Sequence, residues 1–240
     1  MIEFVSETGS TNSDLLERLR SGARVAEGHW LVADRQSAGR GRQGRTWSDG
    51  SGNFMGSTVV HRQPADPPAP TLALLAGLAL FETAQPLVPD GQALRLKWPN
   101  DLLYCRAKMA GILLEGQGDA IVVGIGVNLV QAPDLPGRET RAFASFGPAP
   151  DRDGFAAALA GHFDRELERW RSFGLDVLIR RWQAAGLPTG TPLTVHDGAA
   201  EPLSGAFAGL GEDGSLLLRM ADGATRIVHA GDVMLADERI

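Results

Sequence analysis

The alternation of apolar and polar positions divides the chain into short, sharply punctuated elements. Near the start, TGSTNSDLLERLRSG predicts a capped helix. Thr11 and Asp14 fit a T-x-x-D capping pattern, Leu15, Leu16 and Leu19 supply an apolar stripe, and Gly22 marks the stop. HWLVADRQ reads as a strand, a glycine–arginine loop follows, and NFMGSTVV reads as a second strand. PADPPAP is a proline-rich connection. Residues 71–85, TLALLAGLALFETAQ, are apolar almost all round, which predicts a buried helix. Three apolar strands are expected in LRLKWPNDLLY, GILLEG and AIVVGIGVNL, with Pro99 and Asn100 marking a turn in the first. GFAAALAGHFDRELERWRSF and LDVLIRRWQAAG are helical by period and composition.

After Gly186 the texture changes. TPLTVHDG, LSGAFAGLGEDG, SLLLRMADG and TRIVHAGDVMLA give four strand candidates separated by Gly and Asp turns, a pattern that predicts a small β-barrel. The expected division is therefore 1–186 and 187–240, and no internal repeat is apparent.

Composition narrows the function. The 240 residues suit one medium domain, or one with a small appendage. Acidic residues outnumber basic ones 29 to 23, a formal charge of −6, which argues against a protein that lives on nucleic acid. Cys105 is the only cysteine, so a disulfide framework and a multi-cysteine metal site are excluded. No apolar run reaches membrane-span length and MIEFVSETGS lacks a signal-peptide pattern, so the expectation is a soluble cytoplasmic protein. Of the 23 basic residues 21 are arginine. The two lysines, Lys97 and Lys108, share one twelve-residue window, which points to places where a compact ammonium is needed.

The loop QSAGRGRQGRTW, residues 36–47, carries the strongest chemical signal. Gly39, Gly41 and Gly44 satisfy G-x-G-x-x-G, and GRGRQGRT resembles a P-loop with Arg45 at the lysine position. Both of those motifs need a helix to open directly afterwards, whereas Trp47, Ser48, Asp49 and Gly50 are turn chemistry. A solvated basic turn and an RNA-binding arm are the remaining bland readings. Against them, strands bracket the loop, its glycines permit close backbone approach, and Arg40, Arg42 and Arg45 offer forks for phosphate or carboxylate. Trp47 adds a flat surface. Three arginines around one site suit a triphosphate beside a carboxylate, which is acid activation. A second constellation puts Lys97, Asn100, Asp101 and Lys108 close together if 101–104 and 109–114 pair as a hairpin. Gly124 and Gly126 thin an otherwise apolar strand, and Asn128 offers an amide at its end.

Taken together, ETGSTN (7–12), ADRQSAGRGRQGRTW (33–47), KWPND (97–101), KMAGIL (108–113) and GIGVN (124–128) resemble the biotin protein ligase family in order and spacing. The likeness covers nearly the whole chain. It implies an α/β (α+β) fold, a mixed central sheet flanked by helices as in biotin and lipoate ligases, with a C-terminal SH3-like barrel. It implies formation of biotinyl-5′-AMP from biotin and ATP, magnesium accompanying the ATP, and transfer of biotin to a lysine of a biotin carboxyl carrier protein. Ser10, Thr11, Asn12, Gln36 and Gly111 would then line the biotin side, with Arg40, Gly41 and Arg42 closing over the intermediate. Lys108, with Arg40, would be catalytic, bridging the biotin carboxylate and the α-phosphate. Trp47, Asn100 and Asn128 would bound adenine and ribose, and Arg45 would reach the phosphates.

Many members begin with a helix-turn-helix repressor domain; with the first ligand motif at Ser10, no DNA-binding role is expected here. Members often dimerise through sheet edges, so a homodimer is possible within this reading. Met55 stands where an aromatic residue is usual. A lipoate or octanoate ligase on the same fold is the nearest alternative.

Overall fold

The computed structural model describes residues 1–198 and 201–236. Seven strands form one mixed sheet: β1 (Ile2–Thr8), β2 (Trp30–Gln36), β3 (Phe54–His61), β4 (Leu94–Lys97), β5 (Asp101–Tyr104), β6 (Ala107–Gln117) and β7 (Ala120–Val127), in spatial order β1-β2-β3-β7-β6-β5-β4. Only β1 and β2 run parallel; every other neighbour is antiparallel. Helix α1 (Thr11–Arg20) supplies the crossover between those two parallel strands. The α+β architecture and the mixed sheet match the sequence expectation.

Strict period-two alternation assigns the two faces. On one face Leu31, Val59 and Val122 meet Leu15 and Leu16 of α1. On the other, Val32, Val60 and Val123 join the main core with α2 (Leu72–Ala84) and α3 (Arg152–Ala185). The all-round apolar run at 72–84 is buried as its composition predicts, because the sheet covers one side and α3 the other. The two helical segments expected at 154–185 are one element broken at Gly174, whose φ of 72° only glycine adopts cheaply. Across that break, Arg169 and Arg181 both pair with Glu166, a carboxylate 0% exposed.

Three expectations need correction. The first concerns the cap: the N-cap of α1 is Ser10 with no side-chain cap, while Thr11 turns inward and Asp14 accepts instead from Thr8 Oγ1 at 2.5 Å. A buried hydrogen-bonding network at Thr11 outweighs the local capping preference. Second, LRLKWPNDLLY is not one strand but two, β4 and β5, folded back on each other with Lys97 opposite Asp101. Third, the C-terminal segment has five strands, not four: β8 (Pro192–His196), β9 (Leu203–Leu210), β10 (Leu216–Arg219), β11 (Thr225–Val228) and β12 (Asp232–Leu235). They form an antiparallel sheet ordered β11-β10-β9-β8-β12, and no ladder among the described residues joins its two edges. Strand β1 was not foreseen either.

Apolar residues of this second sheet, among them Leu193, Val195, Phe207 and Leu218, continue the main core without interruption. Trp98 Nε1 donates to Gly214 O at 3.1 Å and Lys97 Nζ to Val233 O at 2.5 Å, so the two sheets are also stitched by polar contacts. Leu75 lies at the centre of the core with 0% exposure. Its truncation should leave a cavity: Leu75→Ala is expected to cost about 2–5 kcal/mol in chemical denaturation. Phe173→Ala, at a side chain 64% exposed, should stay within about 0.5 kcal/mol of the parent.

Candidate functional site

The site is a cavity of about 380 Å³ on the α1 face of the large sheet. Its floor is a patch of strand without side chains. Gly111 of β6 pairs directly with Gly126 of β7, two residues beyond Gly124 on the same face. A Cβ at Gly124 would stand 2.2 Å from Asn12 Oδ1, and one at Gly126 would stand 2.3 Å from the Trp47 ring. A Cβ at Gly111 would crowd Lys108 Nζ and the same indole at 3.2 and 3.3 Å. The glycines thus make room for an asparagine from the helix, an indole from the loop and an ammonium from β6 itself.

One end of the cavity is a buried chain of neutral hydrogen-bonding groups. Gln36 Oε1 accepts from the Thr11 amide at 2.7 Å. Thr11 Oγ1 lies 2.6 Å from Ser57 Oγ, and Ser57 Oγ lies 2.5 Å from Asn12 Oδ1. An amide oxygen only accepts, so the Ser57 proton goes to Asn12 and Thr11 must supply the proton of its own contact with Ser57. Asn12 Nδ2 donates to Glu115 at 2.8 Å, and Arg40 Nη2 closes the chain on Glu115 at 3.1 Å. Ser10, buried at the α1 N-terminus, completes this end.

The other end is cationic. Asp101 is nearly sealed, and its two oxygens take one ammonium each: Lys108 Nζ at 2.5 Å and Lys97 Nζ at 3.1 Å. Burial alone would raise the Asp101 pKa, but the two lysines outweigh it and hold the carboxyl below the usual carboxylate range. Burial also pulls the Lys108 pKa down, and Asp101 opposes that pull. Asn100, held by Ile112 O at 2.7 Å, accepts from Arg42 Nη1 at 3.1 Å, while Arg42 Nη2 reaches Gly231 O at 3.0 Å. Burial lowers the Arg42 pKa without removing its charge. Arg45 pairs with Asp232 of β12, which Arg138 Nη2 also contacts at 3.2 Å. Burial pushes the Asp232 carboxyl up; the hydrogen bond from Arg45 and the charges of Arg138, Arg45 and Lys97 bring it below its ordinary value. Asn128 Nδ2 lies 3.4 and 3.3 Å from the carbonyl oxygens of Lys108 and Arg141.

The arginine–glycine loop spans the gap between the two ends. It folds on itself: Gly41 N donates to Arg45 O at 2.7 Å and Trp47 N to Gly39 O at 2.9 Å, around a single turn with Gln43 at φ 56°. Neither helix nor P-loop follows it, in line with the rejection of both motifs. Trp47 Nε1 is buried without a hydrogen-bond partner, close over Gly126.

The residues that the family resemblance assigned to the site all line this one cavity: Ser10, Thr11, Asn12, Gln36, Arg40, Gly41, Arg42, Arg45, Trp47, Asn100, Lys108, Gly111 and Asn128; Lys97, singled out with Lys108, does not. Sequence reasoning left out Ser57, Arg138 and Asp232, and did not assign Asp101 a place in the site. Asp101 had a signal, since it stands between the two lysines in sequence; Arg138 and Asp232 had none. Among the described residues no group of three His, Cys, Asp or Glu side chains could hold a metal ion, and none of the helices is long and apolar enough to cross a membrane.

Comparison with known proteins gives a consistent result. The sequence pattern of the Biotin/lipoate A/B protein ligase family matches residues 4–129. The chain is 35% identical to a biotin–[acetyl-CoA-carboxylase] ligase of Paracoccus denitrificans over 96% of its own length and 98% of the relative's. It is likewise 35% identical to the enzyme of that name from Mycobacterium tuberculosis, over 97% and 88%. A biotin protein ligase from Aquifex aeolicus, solved in complex with biotin and ATP, shares the fold with a TM-score of 0.85 at 24% identity, over 98% of this chain and 99% of that one. With a matched pattern over more than half of its length and two full-length relatives at this identity, the chain belongs to the Biotin/lipoate A/B protein ligase family.

Proposed function

We propose that the protein is an ATP-dependent biotin ligase, joining biotin to ATP to give biotinyl-5′-AMP and pyrophosphate. It then passes the biotinyl group to one lysine of the biotin carboxyl carrier protein of acetyl-CoA carboxylase. The observation that carries this reading is the cavity's polarity: neutral hydrogen-bonding groups at one end, closed by the Arg40–Glu115 pair, four cationic side chains (Arg42, Arg45, Lys108, Arg138) at the other, and an indole between them. Biotin has the matching order, with a ureido ring, an apolar acyl chain and a carboxylate. The names of the two 35%-identical relatives support the same activity.

In this reading Ser10, Thr11, Asn12 and Gln36 take the ring. Trp47, lying over Gly126 and Gly111, covers the acyl chain, a place nearer the biotin side than the adenine side first expected. The carboxylate oxygen attacks the α-phosphorus and the bond to pyrophosphate breaks. Lys108 and Arg40 offset the repulsion between the two anions and the charge that grows on the phosphate. Arg42 and Arg45 hold phosphate oxygens, with Asn100 and Asn128 toward the nucleoside. The mixed anhydride hydrolyses readily in bulk water, so the loop at 39–47 also protects it until the carrier amine attacks the acyl carbon and AMP leaves. Magnesium would accompany the ATP and further offset the charge of its phosphates.

The remaining parts of the reading are a catalytic unit at 1–186, an SH3-like unit at 187–240 built on the five-stranded sheet, a cytoplasmic setting and no DNA partner. The outer edge of β1, unpaired among the described residues, supports a homodimer built edge to edge.

Thermal-shift titration with biotin and with lipoate, each with and without ATP, tests the activity. Stabilisation by biotin, strengthened by ATP, is expected; stabilisation by lipoate alone assigns the alternative ligase, and a response only to RNA ends the enzymatic reading. Lys108→Ala should lower biotin-dependent pyrophosphate release about 10²–10³-fold while biotin affinity stays within a few fold. An unchanged release rate would remove Lys108 from the reacting phosphate. Arg42→Gly removes two charge-assisted hydrogen bonds from the closed loop. Adenylate escape, read as labelling of bystander lysines in an added protein, should rise about tenfold or more.

A further inference from the structure

Lys97 is the most deeply enclosed charged side chain near the site, 3% exposed, and the activity proposed above leaves it without a role. It does not line the cavity. Its ammonium points the other way, into the seam between β4, β5 and β12, where it donates to Val233 O at 2.5 Å and reaches Asp101 Oδ2 at 3.1 Å. The opposite oxygen of Asp101 holds Lys108 at 2.5 Å. One negative charge is therefore divided between two ammonium groups, and only one of them faces the cavity.

We infer that Lys97 is a positioning residue that poises Lys108: by claiming half of the Asp101 carboxylate it keeps Lys108 from being fully neutralised and leaves its ammonium available to incoming anions. The inference rests on Lys108 acting at the reacting phosphate.

With Lys97 absent, Asp101 would be a private counter-ion for Lys108 in a low-dielectric seam, where such a pair is tight and slow to yield a donor to a ligand. Lys97 also repels the Lys108 proton, as does Arg138 from the 130–140 segment, while Asp101 attracts it. Arg40, Arg42, Arg45 and Asp232 complete the charged groups around the cavity. Finally, arginine stands at 21 of the 23 basic positions, yet the two groups on Asp101 are both lysine. The seam holds a compact ammonium between a backbone carbonyl and a carboxylate, and a longer, planar guanidinium would have to shift its neighbours to fit there.

Lys108 works protonated, so activity falls as pH rises through its pKa. Deleting the Lys97 charge removes a repulsion and strengthens the Asp101 attraction, both of which raise that pKa. The alkaline limb of the profile moves to higher pH, while the rate on the plateau falls.

The test is the pH profile of biotin-dependent ATP–pyrophosphate exchange in the full-length parent, Lys97→Met and Lys97→Gln. Glutamine keeps a donor for Val233 O without the charge, so it reports even where the methionine variant fails to fold. The expected result in each folded variant is an alkaline limb about one pH unit higher and kcat down about tenfold, with the Kd for biotin changed less than about twofold. Lys97→Arg, which retains the charge, should return the limb toward the parent position if it folds. A limb that stays in place in folded Lys97→Gln overturns the inference, whatever happens to the rate, because a purely structural clamp on β12 would cost activity without moving it. Absence of exchange in the parent would instead overturn the ligase reading itself.

Discussion

A carboxylate withdrawn from water is unfavourable by several kcal/mol unless opposite charge and hydrogen bonds replace its hydration. Asp101 meets that condition with the only two lysines in the chain, and the local architecture follows from the arrangement. Lys97 and Asp101 must face one another across the β4–β5 turn, and Lys108 must arrive from β6 on the far side. The irregular register between β5 and β6 at Leu102 and Leu103 accompanies that arrival. The second sheet is drawn in by the same group, because the Lys97 ammonium also takes a carbonyl from β12. Removing either lysine would leave Asp101 with a single counter-ion and nothing to share it; removing Asp101 would leave two like charges facing each other.

How much of this was legible in the sequence depends on the range of the interactions involved. The arginine–glycine loop, the two lysines and the paired glycines of β7 announced themselves because composition at those points has no use in an ordinary turn or core strand. The elements 72–84 and 154–185 were equally plain, being periodic or uniformly apolar. The inward turn of Thr11 was not legible, because a T-x-x-D pattern describes local capping and carries no information about Ser57 and Gln36, which win the threonine from a distance. Asp232 and Arg138 could not be found at all. Each is an ordinary charged residue in its own segment and acquires meaning only when β12 and the 130–140 segment close on the loop. Strand β1 alternates only weakly in burial, as an edge strand does, which is why it left no clear mark.

Charge shows the same separation between what is global and what is local. The chain carries a formal −6, yet five cationic side chains line the cavity against two carboxylates, Asp101 and Asp232, a surplus of three. A cavity with low-dielectric walls focuses such a surplus, whereas salt screens the exposed acidic surface within about a Debye length. A polyanion large enough to sense the whole molecule is therefore repelled. A small anion that enters the cavity meets a strongly positive field. That arrangement separates a nucleotide from a nucleic acid without any base-reading contact. It also explains why the overall acidity and the arginine-rich loop, which point in opposite directions when each is considered alone, are compatible in one enzyme: the arginines are useful only where Asp232, Asn100 and the glycine floor hold them, inside the fold.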